Sequence, residues 1–187
     1  MNKKRNAANT FAKECIATAL FKLMKEKKYE DITITDIAKT AGVSRVTYYR
    51  NFNSKDDIIT HYLDELGYQL HQETKHLNPI EDTYACVFSL FRYWRRYSDV
   101  LLCLYEARLG YMLLDHLNQP ISRFAVTTRE KYEACYYVGS MHNILLEWIK
   151  GGAKETPEEM ADIICNLLRK SIPSQSIEIR QHISLQD

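Results

Sequence analysis

At 187 residues, with 45% apolar and 26% charged side chains, the chain has an ordinary globular composition and enough length to bury a substantial core in one domain or two small ones. No run of about 18 uncharged apolar residues offers a membrane span, and the polar, basic N-terminus lacks the apolar core of a signal peptide. The net charge of +1 hides a split: residues 1–55 carry 12 Lys/Arg against 5 Asp/Glu, whereas residues 56–187 carry 13 against 19. A basic excess confined to one end suits phosphate neutralisation, although Lys25, Lys27 and Lys28 serve equally well to solvate a helix end.

Met1 to Asn9 is polar and reads as a basic arm. Ala12, Ile16, Ala19, Leu20 and Leu23 recur at helical spacing, so a first helix spans about Thr10 to Lys28. Residues 32–55 then read as two short helices and the start of a third. Thr33 caps the first, with Asp36 completing a capping box, and Gly42 ends it where a left-handed backbone is wanted. Ser44 caps the second, which runs through Arg45-Val46-Thr47-Tyr48-Tyr49-Arg50 until Phe52 closes it. Ser54 caps the third, with Asp57 at the matching position. This order predicts a helix-turn-helix whose second helix reads base edges.

A longer helix follows from Asp56 to about Leu77, broken by Asn78-Pro79. Glu81 to Tyr97 carries an aromatic stripe of Tyr84, Phe88, Phe91 and Trp94, and Val100 to Leu117 is apolar but interrupted near Gly110. After a break at Gln119-Pro120, a long helix spans Thr127 to Lys150 and stops at Gly151-Gly152. The last helix has Thr156 as cap, Pro157 at its first position and Glu159 to complete a box. Met160, Ile163, Ile164, Leu167 and Leu168 form its apolar stripe, and Pro173 stops it. The expectation is an all-α chain of about nine helices. It divides into a helix-turn-helix domain over 1–55, reaching to about 60 with the start of its next helix, and a helical effector-binding and dimerisation domain over 56–172. The tail at 173–187 stays unassigned.

The stretch Ile32-Thr33…Ile37-Ala38, Ala41-Gly42-Val43-Ser44, Thr47-Tyr48-Tyr49-Arg50-Asn51-Phe52 and Ser54-Lys55 resembles the N-terminal signature of TetR/AcrR-type transcriptional regulators. The resemblance covers roughly residues 8–70. Further on, Tyr136-Tyr137-x-Gly139, Glu147-Trp148 and Thr156-Pro157-Glu158-Glu159-Met160 are similar to a subgroup that includes relatives of the dihydroxyacetone-kinase regulator. The resemblance implies a homodimer in which helices 127–150 and 156–171 pair with their mates as a four-helix bundle. Val138, Leu145, Trp148, Met160, Ile164 and Leu168 would then form the interface. The recognition helix departs from the family in Tyr48 for the usual Leu, Asn51 for a frequent His, and Val46 for a small residue.

Within the head, Thr33 and Thr35 sit where hydroxyls and helix N–H groups meet a phosphate, with capping the plainer role. Arg45 and Thr47 are the candidates for base contact: Arg grips guanine bidentately and a Thr methyl suits thymine. Tyr49, Asn51 and Lys55 match family positions that touch the DNA backbone and set register. Tyr48 and Phe52 hold the helix to its core, and Arg50 is either a phosphate contact or solvent-facing.

An effector pocket is expected among Tyr84, Phe88, Phe91, Tyr105, Tyr111, Tyr132 and Tyr136, with core filling the plainer role for any one of them. Glu106, His116 and His142 are candidates to orient a ligand. Neither a metal nor a cofactor is expected: His71 and His76 are five apart, and no Cys/His cluster has ligand spacing. The five scattered cysteines, without a CxxC, fit a reducing cytoplasm. No phosphate loop, nucleophile elbow or His-Glu metal motif points to an enzyme.

The expected function is a ligand-responsive repressor. Its partners would be a second copy, a small-molecule effector and a double-stranded operator with half-sites about 34–36 Å apart. The alternatives are an activator of the same family, and a module that has given up DNA and pairs with a related regulator.

Overall fold

The computed structural model describes residues 2–119 and 127–171. Within them lie nine α-helices: α1 (Asn2–Met24), α2 (Ile34–Thr40), α3 (Arg45–Asn51), α4 (Lys55–Thr74), α5 (Thr83–Arg95), α6 (Ser98–Glu106), α7 (Gly110–Asn118), α8 (Thr128–Lys150) and α9 (Pro157–Ser171), with a 3₁₀ turn at Tyr29–Asp31. The all-α architecture matches the sequence expectation, and the described residues contain no strand. One local reading is corrected. The segment expected to be an arm is helical from Asn2, continuous with α1. Pro120 and the 173–187 tail lie outside the described residues, and no helix among those described is long and apolar enough to cross a membrane.

The helix starts share one device. Hydroxyls of Thr33, Ser44, Ser54, Thr127 and Thr156 each accept from the N–H three residues on, at 3.0–3.2 Å. Each such cap stabilises its helix by about 1 kcal/mol. At Thr33, Thr127 and Thr156 the cap N–H donates back to Asp36, Glu130 and Glu159, closing capping boxes.

Three helices end in one way too. The amide after a left-handed residue donates to the carbonyl five back: Val43 to Ala38 at 3.0 Å, Leu109 to Leu104 at 2.8 Å, and Ala153 to Trp148 at 2.8 Å. These are Schellman ends. The left-handed position holds Gly42 (φ 67°) after α2 and Gly152 (φ 86°) after α8, but Arg108 (φ 59°) after α6.

α1 packs on α2, α3 and α4, so that Ile16, Leu20, Ile37, Tyr48 and Phe52 share a buried core beneath the motif. α4 is common to head and body, packing on α1, α5 and α7. In the body α9 lies along α5, and α8 crosses α6 and α7. The buried Phe91 ring meets Trp148 edge-on at 5.1 Å, and Trp148 Nε1 donates to the Glu155 carbonyl to fix the α8–α9 turn. Tyr93 donates from its hydroxyl to Leu66 O at 2.8 Å, tying α5 to α4, and burial raises the pKa of that phenol.

Candidate nucleic-acid interface and the cleft behind it

α3 has two sides set by its seven residues. Tyr48 and the closing Phe52 are buried, and burial pushes the Tyr48 phenol up to about 12. On the far side Arg45, Val46, Tyr49 and Arg50 are exposed, Val46 by 68% and Tyr49 by 51%. A spacing of i, i+1, i+4 and i+5 makes these one face. Arg45 lies over the Tyr49 ring at 6.0 Å, which holds the guanidinium outward.

The head's other cations sort by partner. Lys25 pairs with Asp99 of α6 at 3.0 Å, and Lys27 with Asp36 at 2.6 Å; neither is spare for a phosphate. Lys39, Arg45 and Arg50 are exposed and make no ion pair among the described residues.

Several expected DNA contacts sit elsewhere. Lys55 points into the head: its Nζ donates to Tyr29 O at 2.6 Å and Ile32 O at 2.8 Å, and lies 4.4 Å from the Tyr29 ring centre. There it fastens the 3₁₀ turn to the start of α4, so its ammonium serves the fold. Asn51 donates from Nδ2 to Thr47 O at 2.8 Å and turns its amide inward. Thr33 is occupied as a cap, accepting from the Asp36 N–H and donating to its carboxylate. Thr47 lies half-buried, its hydroxyl 3.0 Å from Ser44 Oγ. Thr35, Arg45 and Tyr49 keep an outward position. Val46 and Lys39 are exposed but absent from the sequence-based candidates; opposite spacing from Tyr48 and Phe52 was the available signal for the exposure of Val46.

The expected pocket also divides. Tyr105 and Tyr111 line a cleft of about 480 Å³ with Glu106, Arg108, Gly110, His142 and Leu146. The other five do not. Phe91 is core, Phe88 packs under Arg92, and Tyr84 is exposed beside α9, near Glu158 and Asp162. Tyr132 and Tyr136, exposed by 70% and 55%, stand on the outer face of α8. His116 points away from the cleft, its Nδ1 3.1 Å from Asp64 Oδ1 of α4.

The expected interface residues change place as well. Leu145, Trp148, Met160 and Ile164 are buried within the chain's own core, and Val138 and Leu168 are half-buried. The stripe that looked like a dimer seam is the seam by which α8 and α9 join this body. Outward-facing apolar surface on these helices comes instead from Tyr132, Tyr136, Tyr137, Ile163 and Leu167.

Two protein-family models match parts of this chain. Residues 16–62 match the model of bacterial regulatory proteins of the tetR family, and residues 81–170 that of a transcriptional regulator C-terminal region. YvdT of Bacillus subtilis, described as an uncharacterized HTH-type transcriptional regulator, is 24% identical over 131 residues, covering 66% of this chain and 58% of its own. The HTH-type transcriptional regulator EthR of Mycolicibacterium smegmatis is 41% identical over 51 residues, 27% of this chain and 23% of its own. The chain therefore spans less than two thirds of either relative. Among solved structures, the dihydroxyacetone kinase operon activator DhaS superposes with a TM-score of 0.58 at 18% identity, over 86% of this chain and 96% of that one. A transcriptional regulator from Rhodococcus sp. Rha1 gives 0.50 at 20% identity, over 80% and 90%. These two likenesses concern the fold alone.

Proposed function

Because this chain belongs to the tetR family of bacterial regulatory proteins, a family of non-enzymatic DNA-binding transcription factors, we propose that it acts as a homodimeric repressor released from a pseudo-palindromic operator by a small molecule. The observation that carries the DNA part is the outer face of α3, where Arg45, Val46, Tyr49 and Arg50 are exposed together. Arg45 reads a guanine edge and Val46 meets a thymine methyl. Thr35, Lys39 and Arg50 contact phosphates and set register. Residues 1–55 with the start of α4 serve as the DNA-binding unit, and 56–172 as the effector and dimer unit.

Dimerisation is supported by the exposed apolar strip of Tyr132, Tyr136, Ile163 and Leu167 across α8 and α9, since an apolar face on two neighbouring helices is removed from water by a second copy. Effector release is supported by the cleft. Its wall residues Gly110 and Tyr111 open α7, which packs on α4, and Tyr29 donates its hydroxyl to Asp56 at the start of α4. A ligand favouring one arrangement of that corner shifts the population of head spacings by its differential affinity.

A gel shift against DNA upstream of the chain's own gene, run across a salt series, tests the reading. Arg45→Ala should cost about 1–3 kcal/mol on the specific site and little on random DNA, whereas Lys39→Ala should weaken both alike and lower the salt slope. No binding at low salt would instead favour a module that pairs with another regulator. Equal losses for Arg45→Ala on both DNAs would refute the base-reading role.

A further inference from the structure

We propose that the cleft between the α6–α7 turn and α8 is a binding site for a small hydroxylated aromatic carboxylate, an inference that rests on the effector-responsive reading above and gives it a ligand class. His142 is only 7% exposed, and its Nε2 is buried without a hydrogen-bond partner among the described residues. Burial lowers the pKa of the imidazole, against hydrogen bonding to the Gly110 main chain and the Asn143 side chain, which acts the other way. With that bonding on the other ring nitrogen, Nε2 of the neutral ring is left as a buried acceptor in a residue that lines the cleft. A buried acceptor without a partner is costly, and a ligand hydroxyl removes the cost.

Arg108 supplies the second recognition element. It stands in the left-handed position of a Schellman end where the two equivalent turns use glycine. A long side chain strains the turn there. The guanidinium makes no ion pair among the described residues, although it lines the cleft. A planar carboxylate matches its two parallel N–H donors. Tyr105 and Tyr111 with Leu146 form walls suited to an aromatic ring, and about 480 Å³ is an ordinary volume for such a ligand. Glu106 on the same lining repels a second carboxylate, which limits the ligand to one negative charge.

Calorimetric titration of the full chain with 4-hydroxybenzoate, benzoate and phenol tests this. The first should bind saturably, and each of the others, lacking one group, should bind at least tenfold more weakly. Arg108→Gly should raise Tm by relieving the turn and at the same time lose at least tenfold in 4-hydroxybenzoate affinity. A purely structural residue would not separate those two readouts. His142→Phe should lose a similar factor.

Absence of saturable binding by the wild type, equal binding of all three probes, or unchanged affinity in Arg108→Gly would overturn the proposal. A gel shift with the same preparation keeps the two readings apart. Specific DNA binding without any ligand binding overturns the site and leaves the DNA-binding role. Ligand binding that leaves operator affinity unchanged upholds the site and overturns effector release.

Discussion

Between Thr33 and Asp57 the chain makes its turns with hydrogen bonds between residues three to five apart. From Thr83 onward the helices are placed by side chains that meet across long stretches of sequence, such as Phe91 on Trp148 and Tyr93 on Leu66. The head is therefore specified locally and the body by tertiary packing. Loss of one group in the head removes a bond of known partner, whereas loss of one group in the body leaves a hole whose cost depends on everything around it.

The largest expected effect tests the body. Phe91 is fully buried against Trp148, so Phe91→Ala should cost about 3–5 kcal/mol, read from urea unfolding. Molecules that remain folded should keep their operator affinity, because the ring packs on Trp148 in the body. A loss under about 1 kcal/mol would mean that the body is not packed as described, and the contrast between the regions would fail.

Next comes a long-range tie within the head. Lys55 holds the carbonyls of Tyr29 and Ile32, and hydrogen bonds from a charged donor are worth about 1.5–3 kcal/mol each way of counting. Lys55→Ala should lower Tm and operator affinity together. If Tm held while affinity fell on all sequences alike, the lysine would be a phosphate contact and its inward position would be wrong in solution.

This lysine also shows what was legible beforehand. Caps, capping boxes and the Gly42 turn could be read from residue order, because each is an interaction between near neighbours in the chain. Helix number and type followed for the same reason. Which face of a helix meets what did not. The stripe Met160, Ile164 and Leu168 reads identically whether it faces α5 of its own chain or a partner. Lys55 looks like a surface cation until the Tyr29 turn folds beneath it. Of the seven aromatic residues expected around a pocket, Tyr105 and Tyr111 line the cleft because they flank a turn visible at Gly110, while Tyr132 and Tyr136 depend on which side of α8 is covered. Arg108 escaped notice because nothing in its neighbours announces a left-handed residue that is not glycine.

A smaller effect isolates backbone conformation from packing. Gly42 has φ 67°, and a Cβ there would meet no atom within 4 Å. Gly42→Ala therefore carries only the left-handed penalty, about 1–2 kcal/mol, measured by urea unfolding. Gly67 in α4 is the opposite case: a Cβ would stand 2.7 Å from His116 Nε2. Gly67→Ala should be rescued by His116→Ala, whereas no second substitution nearby should rescue Gly42→Ala. Rescue of the latter would mean that packing, not local geometry, sets the turn.

The smallest effect lies in the α2 cap and carries a pH signature. Lys27 donates to Asp36, as do the Thr33 main-chain N–H and hydroxyl, and these bonds hold the carboxyl well below its ordinary 3.8. A depressed folded pKa gives stability that is present in full above the unfolded value. That stability is lost as pH falls through the folded one. The deficit of Asp36→Asn relative to wild type, followed by urea unfolding, should thus be steady at neutral pH. It should shrink progressively below pH 3.8. Added salt should narrow it at neutral pH, because the Lys27 pair is partly exposed. The Phe91→Ala deficit should stay level through the same titration, since no charge takes part in that burial. A deficit at Asp36 that persisted unchanged to about pH 2 would show that the cap does not hold the charged carboxylate, and that the head, like the body, depends on packing at this helix start.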